Sequence, residues 1–375
     1  MINPSVQIRK IESYDLSAVE EAVQSFLSQL KGAKLSRNKR VLIKTNALGA
    51  FAPQRAVTTH PIVLEAIIRY FLERGKEVWL GDSPGGTVSF NTVWQTCGYA
   101  ELAERYPIKV VNLSTLGFRE LSYRGIKLKL SEALWQCGIV INAAKYKTHS
   151  LMAFTGALKN LYGLVPGMVK SEYHRDNPDT KSFSDLLIAL FALTRHRVTY
   201  SFIDGIVGMD GAGPSSGNPR PFGLFLGSTS IPALDTVAAR MLGFGISDVP
   251  YLSEALHLEG ILPSRIKVPT SFTHYRIPQA DISVVKLRKE TLKYVPSVLR
   301  YAFKKLYFYH PQVSERCLRC GICVKSCPVK AITWAEKERP FVNREQCIKC
   351  MCCHEMCPHN AIDIHKSLLA KAVLR

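Results

Sequence analysis

Arg40-Val-Leu-Ile-Lys-Thr-Asn46 is followed by Thr59-His-Pro61 and an apolar-periodic run to Arg74, then by Glu77-Val-Trp-Leu80 with Gly81-Asp-Ser-Pro-Gly-Gly86 behind it. A short apolar run, a helical run opened by a capping residue and proline and closed near Gly75, and a second apolar run make one strand–helix–strand unit. Units of this kind pack side by side as parallel sheet. The alternation continues along the chain. Strands are expected at residues 108–113, 138–142, 199–203 and 222–226, and helices at 90–105, 183–195 and 232–242. The expected fold class is α/β, a largely parallel sheet layered with helices, over residues 1–285.

The segment behind each of these strands is polar. Lys44-Thr-Asn46 succeeds the first, Asp82-Ser-Pro-Gly-Gly86 the second, Asn142-Ala-Ala-Lys-Tyr-Lys-Thr-His149 the fourth and Asp204-Gly205 the fifth. In an open parallel sheet the carboxyl ends of the strands share one edge, and ligands bind there. Lys44, Asn46, Asp82, Lys145, Lys147 and His149 are therefore expected on one cleft. Lys145, Lys147 and His149 alternate, and in an extended segment residues two apart point to one side. One face then carries two cations and an imidazole, the candidate catalytic group. Lys159 and Asn160 lie in an apolar stretch bounded by Gly156 and Gly167, so they must find partners or face a cavity. With Lys44, Asn46 and Asp82 they form the candidate substrate-binding set. The glycines at 85 and 86 suit a turn, or the close approach of a phosphate or carboxylate. Residues 208–217 read as a long flexible loop, either a lid or a solvated turn.

Near the C-terminus eight cysteines fall into two copies of one spacing, Cys317-x2-Cys320-x2-Cys323-x3-Cys327-Pro328 and Cys347-x2-Cys350-x2-Cys353-x3-Cys357-Pro358. A tight x2/x2 loop presents three thiolates to one side of a [4Fe–4S] cube, and in two-cluster modules the last cysteine of each run serves the other cluster. The spacing thus assigns Cys317, Cys320, Cys323 and Cys357 to one cluster, and Cys347, Cys350, Cys353 and Cys327 to the second. Paired zinc knuckles need only four ligands and a disulfide framework needs no such repeat, so both fit the spacing poorly. Cys352 falls outside the repeat and reads as a packed thiol; Cys97 and Cys137 sit in apolar surroundings and read as buried structural cysteines. The halves repeat at an offset of 30 residues and resemble bacterial two-cluster ferredoxins over 311–366, a small α+β domain.

The chain has 375 residues, 47% of them hydrophobic, and a formal charge of +19. Two oxidised clusters at about −2 each leave roughly +15. The cations are spread along the chain without a recognition motif, so no nucleic-acid partner is expected. They concentrate only at 286–310, a basic amphipathic linker suited to interdomain packing or, over 286–309, to peripheral membrane contact. A short tail occupies 367–375. No signal peptide and no apolar run of ~20 residues is present, and a cytoplasmic location is expected. There is no G-x-G-x-x-G between strand and helix and no Walker A lysine, so nicotinamide and flavin cofactors are not supported.

Lys44-x-Asn46, Thr59-His-Pro61, Gly81-Asp-Ser-Pro-Gly85, Lys145-x-Lys147-Thr-His149, Gly156-x-x-Lys159-Asn160, Asp204-Gly205, Gly213-Pro-x-x-Gly217 and Asp235 together resemble the domain-of-unknown-function 362 family over about 38–245. The resemblance implies an iron–sulfur protein whose ferredoxin module is appended to an α/β domain. At the level of fold alone the Lys/His cleft is also similar to the lactate racemase family, and no residue role carries across. The expected function is an iron–sulfur oxidoreductase passing electrons from two [4Fe–4S] clusters to a small anionic substrate in the cleft, with an electron donor or acceptor protein as partner. The alternative is a non-catalytic electron carrier whose α/β domain docks another enzyme.

Overall fold

The computed structural model describes residues 3–28, 30, 38–167, 169–282, 309–335 and 338–367. The expected linker at 286–310, with its membrane contact, therefore lies outside the described residues except for its last two positions, as does most of the tail.

The larger domain carries, in chain order, strands β1 (Gln7–Lys10), β2 (Arg40–Lys44), β3 (Glu77–Asp82), β4 (Lys109–Asn112), β5 (Phe118–Tyr123), β6 (Ile126–Ser131), β7 (Ile139–His149), β8 (Ala153–Thr155), β9 (Tyr200–Asp210) and β10 (Asn218–Ser228). Eight of them form one sheet in the order β1-β10-β9-β7-β2-β3-β4, with β8 paired to β7; β5 and β6 make a separate hairpin. Strands β9, β7, β2, β3 and β4 are parallel, and β10 closes one side antiparallel to β9. Alternation buries both faces. Leu42, Trp79 and Val140 pack with helices Thr180–Thr194 and Ile231–Leu242, while Val41, Ile43, Val78 and Ile141 pack on the other side with helices Leu16–Leu27 and Pro61–Leu72. The fold is the α/β class its sequence pattern predicts.

Three strands run further than their apolar segments predict. β7 continues through Lys145, Lys147 and His149, because every one of its side chains is buried and each polar one is given a partner by the surrounding elements. β9 takes in residues 208–210 of the loop expected at 208–217, and the remaining residues 211–217 are the turn that joins β9 to β10 as a hairpin. The expected helix at 90–105 breaks at Gly98 into Phe90–Thr96 and Ala100–Arg105. His60, not Thr59, caps the helix Pro61–Leu72, its ring nitrogen accepting from Ile62 N at 3.2 Å. Thr59 instead donates to Ala143 O and accepts from Asn46 N, tying the helix start to β7 and to the end of β2.

Residues 309–367 build a small ferredoxin-like α+β unit. β11 (Tyr309–Val313) pairs with β14 (Ile362–Lys366), β12 (Ile332–Thr333) pairs with β13 (Phe341–Val342), and short helices cover Ile322–Lys325 and Cys352–Glu355. The sequence repeat is also a repeat of backbone conformation. Positive φ recurs at Arg319 and Lys349 (57° and 58°), Gly321 and Met351 (72° and 64°), and Lys330 and Asn360 (54° and 51°). Residues held in this left-handed region turn successive N–H groups inward around the cysteines.

The turn carrying Lys159 and Asn160 is held by a buried carboxylate on another helix. Asp235 accepts from Ala157 N at 2.6 Å and Leu158 N at 3.0 Å, with Tyr251 OH also beside it. Burial pushes its carboxyl up to about 7. Asp235→Ala strands two buried N–H groups and is expected to cost about 2–4 kcal/mol in denaturant unfolding at pH 7. Because the folded carboxyl holds its proton more tightly than the unfolded one, stability falls as pH rises from about 4 to 7. Asp235→Asn should remove that slope from the unfolding curves.

Candidate functional site

Lys44 ends β2 and Asp82 ends β3, neighbours in the parallel register. The Lys44 ammonium lies 2.9 Å from Asp82 Oδ1 and 3.0 Å from Oδ2, donates to Thr45 O at 2.5 Å, and reaches Asn160 Oδ1 at 3.3 Å. Burial lowers the Lys44 pKa and Asp82 opposes that shift. Asp82 also accepts from Ala47 N and Ser83 N, both at 2.7 Å. Asn160 donates to Asn142 Oδ1 at 2.8 Å, which ties the Gly156–Gly167 stretch to β7. Gly163 is required here: a Cβ on it would lie 2.2 Å from Asp82 Oδ1 and 2.3 Å from Lys44 Nζ.

A cavity lies between the two units, with about 790 Å³ of empty space, part of it open to solvent. Lys44, Asn46, Asp82, Lys147, Lys159 and Asn160 line its α/β side, so the structure brings together all but Lys145 and His149 of the residues expected there. Its other wall includes Ser326, Cys352, Glu355 and Met356, from the loops that carry the cysteines. Lys147 is hydrogen-bonded to Val57 O (2.5 Å) and Asn46 Oδ1 (3.2 Å). Burial, and secondarily Lys159, holds its pKa well below the usual lysine value. The Lys159 ammonium makes no hydrogen bond or ion pair with a described residue; it lies 5.9 Å from the Tyr162 ring and 6.0 Å from Phe183. Lys170 completes the cationic lining, bonded to Ser83 O and to Ser83 Oγ (3.0 Å), and burial lowers it to about 7. Ser83 Oγ in turn meets Ser114 Oγ at 2.7 Å. Among the described residues, Thr155 Oγ1, His174 Nδ1 and Ser326 Oγ, buried polar atoms of the lining, have no hydrogen-bond partner. Burial and Lys159 lower His174 to about 3, which keeps its ring neutral.

Lys145 belongs to a different cluster. It sits opposite Asp204 on β9, 2.8 Å from Oδ2, and donates to Tyr14 OH at 2.7 Å. Tyr14 stacks on His60 with ring centroids 3.5 Å apart. His149 stands behind the cavity wall. Its Nδ1 accepts from Leu151 N and Met152 N, so a neutral ring carries its proton on Nε2, which faces Glu355 Oε1 of the ferredoxin unit at 3.3 Å.

Lys170 and His174 stand in the sequence without a pattern that assigns them a role. Glu355, Met356 and Cys352 are harder to foresee, since they occupy spacers between cysteines and nothing in that spacing points to a remote domain. Met356 fills a cradle made by the α/β glycines: a Cβ on Gly86 (φ +74°) would lie 2.6 Å from Met356 Cε, and one on Gly85 3.3 Å from its sulfur. The glycines expected to admit a phosphate or carboxylate instead admit this thioether. Arg55 adds bonds to Pro358 O (3.3 Å), Asn360 Oδ1 (2.6 Å) and Ser215 O (2.9 Å). His354 faces Ala212 O at 3.1 Å and Ile362 O at 2.7 Å.

A hollow in the ferredoxin unit is lined by Cys317, Cys320, Cys323 and Cys357. The hollow thus gathers the three cysteines of the first run with the last cysteine of the second. Burial raises the Cys347 and Cys353 thiols, with Cys350 and Cys327 adding to the rise of both and Cys323 of the other run adding to that of Cys353. No cysteine is in a disulfide. Ala331 N donates to Cys327 Sγ at 3.2 Å and Ala361 N to Cys357 Sγ at 3.3 Å, the N–H donors that thiolate ligands of a cluster use. Cys97 and Cys137 are buried, and burial pushes their thiols up to about 11 and about 12, away from reactivity.

The family described as "Domain of unknown function (DUF362)" matches residues 41–240, more than half of the chain. The chain belongs to the DUF362 family. A 4Fe-4S dicluster domain matches residues 316–361, so this DUF362 protein carries an iron–sulfur domain behind its α/β domain. It is 28% identical over 309 residues to "Thylakoid-associated protein sll1697" of Synechocystis sp. (strain ATCC 27184 / PCC 6803 / Kazusa), covering 81% of this chain and 94% of that protein. A solved protein from Thermotoga maritima matches with TM-score 0.39 and 13% identity over 66% of this chain and 59% of its own. The lactate racemase apoprotein from Thermoanaerobacterium thermosaccharolyticum matches with TM-score 0.42 and 14% identity over 64% and 57%. This chain thus spans less than two thirds of either solved structure. Among the described residues of the DUF362 protein no helix is long and apolar enough to cross a membrane.

The glycine cradle predicts how the two units are coupled. Gly86→Val meets Met356 and forces a branched residue into positive φ, and is expected to lower stability by about 1–3 kcal/mol. Adding Met356→Ala should restore part of the loss, and a double-mutant cycle on thermal unfolding measures the coupling.

Proposed function

We propose that this protein is an iron–sulfur oxidoreductase that delivers electrons to a small anionic molecule held between its two domains. The observation that carries the reading is the composition of the cavity wall. Lysines of the α/β domain face Cys352, Glu355 and Met356, which stand in the spacers on either side of Cys353. Cys317, Cys320, Cys323 and Cys357 hold one [4Fe–4S] cluster, and Cys347, Cys350, Cys353 and Cys327 the second. Such clusters supply electrons one at a time.

The anionic character of the ligand follows from the charge in the cavity. Among the described lining residues Lys44, Lys147, Lys159 and Lys170 face two carboxylates, Asp82 and Glu355, and Lys44 takes up Asp82 directly. Lys159 offers an ammonium to which a carboxylate or phosphate can bind without breaking an existing bond, and Thr155 Oγ1 and His174 Nδ1 offer further hydrogen bonds. The same cations stabilise charge developing on a substrate oxygen as it is reduced. Protons come through Lys170, which sits in the cavity and is hydrogen-bonded by way of Ser83 to the part-exposed Ser114. His149 acts behind Glu355, orienting it, rather than on the ligand itself.

Anaerobic preparation should give about eight irons and eight sulfides per chain, retained in Cys352→Ser and reduced in Cys323→Ser. The dithionite-reduced protein is then screened against small carboxylates and phosphate esters. A compound that reoxidises it should lose roughly 10- to 100-fold in affinity with Lys159→Met, the worth of one charge-assisted bond. Its kcat/KM should decline as pH rises above about 7, where Lys170 of the free protein gives up its proton, and Lys170→Arg should abolish that limb. Reoxidation by a partner protein alone, with no small molecule effective, would overturn the reading in favour of an electron carrier.

A further inference from the structure

Among the described residues the large apolar side chains that stay exposed are not evenly spread. Leu318 (69%), Phe341 (66%) and Trp334 (39%) all lie in the ferredoxin unit; Phe118 and Leu262 are in the α/β domain. The three gather around one feature. Leu318 lines the hollow formed by Cys317, Cys320, Cys323 and Cys357, together with Pro340. Phe341 comes directly after Pro340 in the chain and faces outward opposite Thr333 in the β12–β13 ladder. The Trp334 ring approaches Gly321, next to Cys320, and its N–H is fixed to Glu338 O at 2.9 Å. Cys320 itself is exposed, whereas Cys350 and Cys353 of the other set are 7% exposed and flank Cys352 of the cavity wall. Cys323 and Cys357 of the first set are as buried as these, and Cys317, Cys327 and Cys347 are half-buried, so Cys320 is the one exposed cysteine of the eight and it opens to solvent beside the apolar collar.

We propose that this collar is the docking surface for an acidic one-electron carrier protein, which transfers one electron per encounter to the exposed cysteine-held centre and leaves oxidised by one electron. Apolar residues ringing a redox centre, left uncovered by the rest of the fold, mark a contact surface. A patch built on three exposed side chains suits a transient redox encounter, a class that buries under about 1,200 Å². The charge selects the occupant. Near the collar Arg316 is paired with Asp363 at 2.5 Å and Arg339 lies 3.8 Å from Glu315, while exposed Arg319 is left over beside Leu318. With roughly +15 left on the cluster-loaded chain as a whole, an acidic carrier is steered in, and a second copy of this chain is repelled. Docking at the collar is independent of what occupies the cavity.

The test uses the full chain loaded with iron and sulfide and, as probe, an acidic plant-type [2Fe–2S] ferredoxin. Its Kd is measured by titration at low and at physiological ionic strength, and one-electron exchange by stopped flow. Binding is expected to weaken with salt and to fall at least about 10-fold in Leu318→Asp and in Phe341→Asp, each with unchanged iron content, while Phe118→Asp binds as the parent does. Two collar variants are used so that one failing to fold leaves the other to read. Equal affinity in the iron-replete collar variants overturns the proposal, as does no binding by the parent chain. So does binding of the parent, but not of the variants, to anionic phospholipid vesicles in place of the ferredoxin.

Discussion

A lysine ammonium taken out of water costs several kcal/mol unless hydrogen bonds and opposite charge replace its solvent, and the carboxyl edge of this sheet is arranged around doing so for Lys44. One carboxylate, Asp82, takes the ammonium on its two oxygens and also accepts Ala47 N–H and Ser83 N–H, so the loops after β2 and β3 converge on the same side chain. Asn160 and Gly163 then come in from above, the first as acceptor and the second because nothing larger than hydrogen fits. Two strands along, Lys145 and Asp204 repeat the solution as direct register partners, with Tyr14 as the extra bond. Lys147, Lys159 and Lys170 have no carboxylate of their own within hydrogen-bond reach among the described residues of the α/β domain. The carboxylate that raises Lys159 toward its ordinary pKa is Glu355, supplied by the ferredoxin unit.

This arrangement explains which parts of the molecule the sequence makes legible. Strand and helix positions in the α/β domain follow from local apolar periodicity, and the crossed cysteine groups follow from spacing that the cluster itself dictates. Lys44 and Asp82 could be placed together because both end parallel strands. Periodicity hides the length of β7. Asn142 to His149 reads as polar and loop-like, yet it continues as buried strand because β8, β9 and the ferredoxin unit cover it. The same alternation that puts Lys145, Lys147 and His149 on one side does not put them in one site, since the register between β7 and β9 shifts between Lys145 and Lys147.

The spacers between cysteines are the least legible. Cluster ligation constrains the cysteines and the backbone turns around them, but it leaves the three residues between Cys353 and Cys357 free to be used elsewhere. Here His354 and Met356 fix the unit to the β9–β10 turn and the glycine loop, and Glu355 closes on His149. A sequence read one domain at a time offers no signal for this, because each contact joins one domain to the other across a long stretch of chain.

Placing the cavity between the domains has an electrostatic consequence beyond positioning. Burial lowers the pKa of each of the cavity's lysines, and for Lys170 the value falls to about 7. An anion arriving beside Lys159 and Lys170 reverses that, because an opposite charge within a few ångströms favours the protonated amine. By linkage, binding of such a ligand is coupled to proton uptake, and the hydrogen-bonded path from Lys170 through Ser83 to Ser114 supplies the route. In the proposed reaction the acceptor would then already have a proton beside it when electrons come from the cysteine-held centre behind Cys352 and Met356. A reduction that adds protons and electrons in equal number gains most from such a site, since neither charge has to build up alone in a medium of low dielectric.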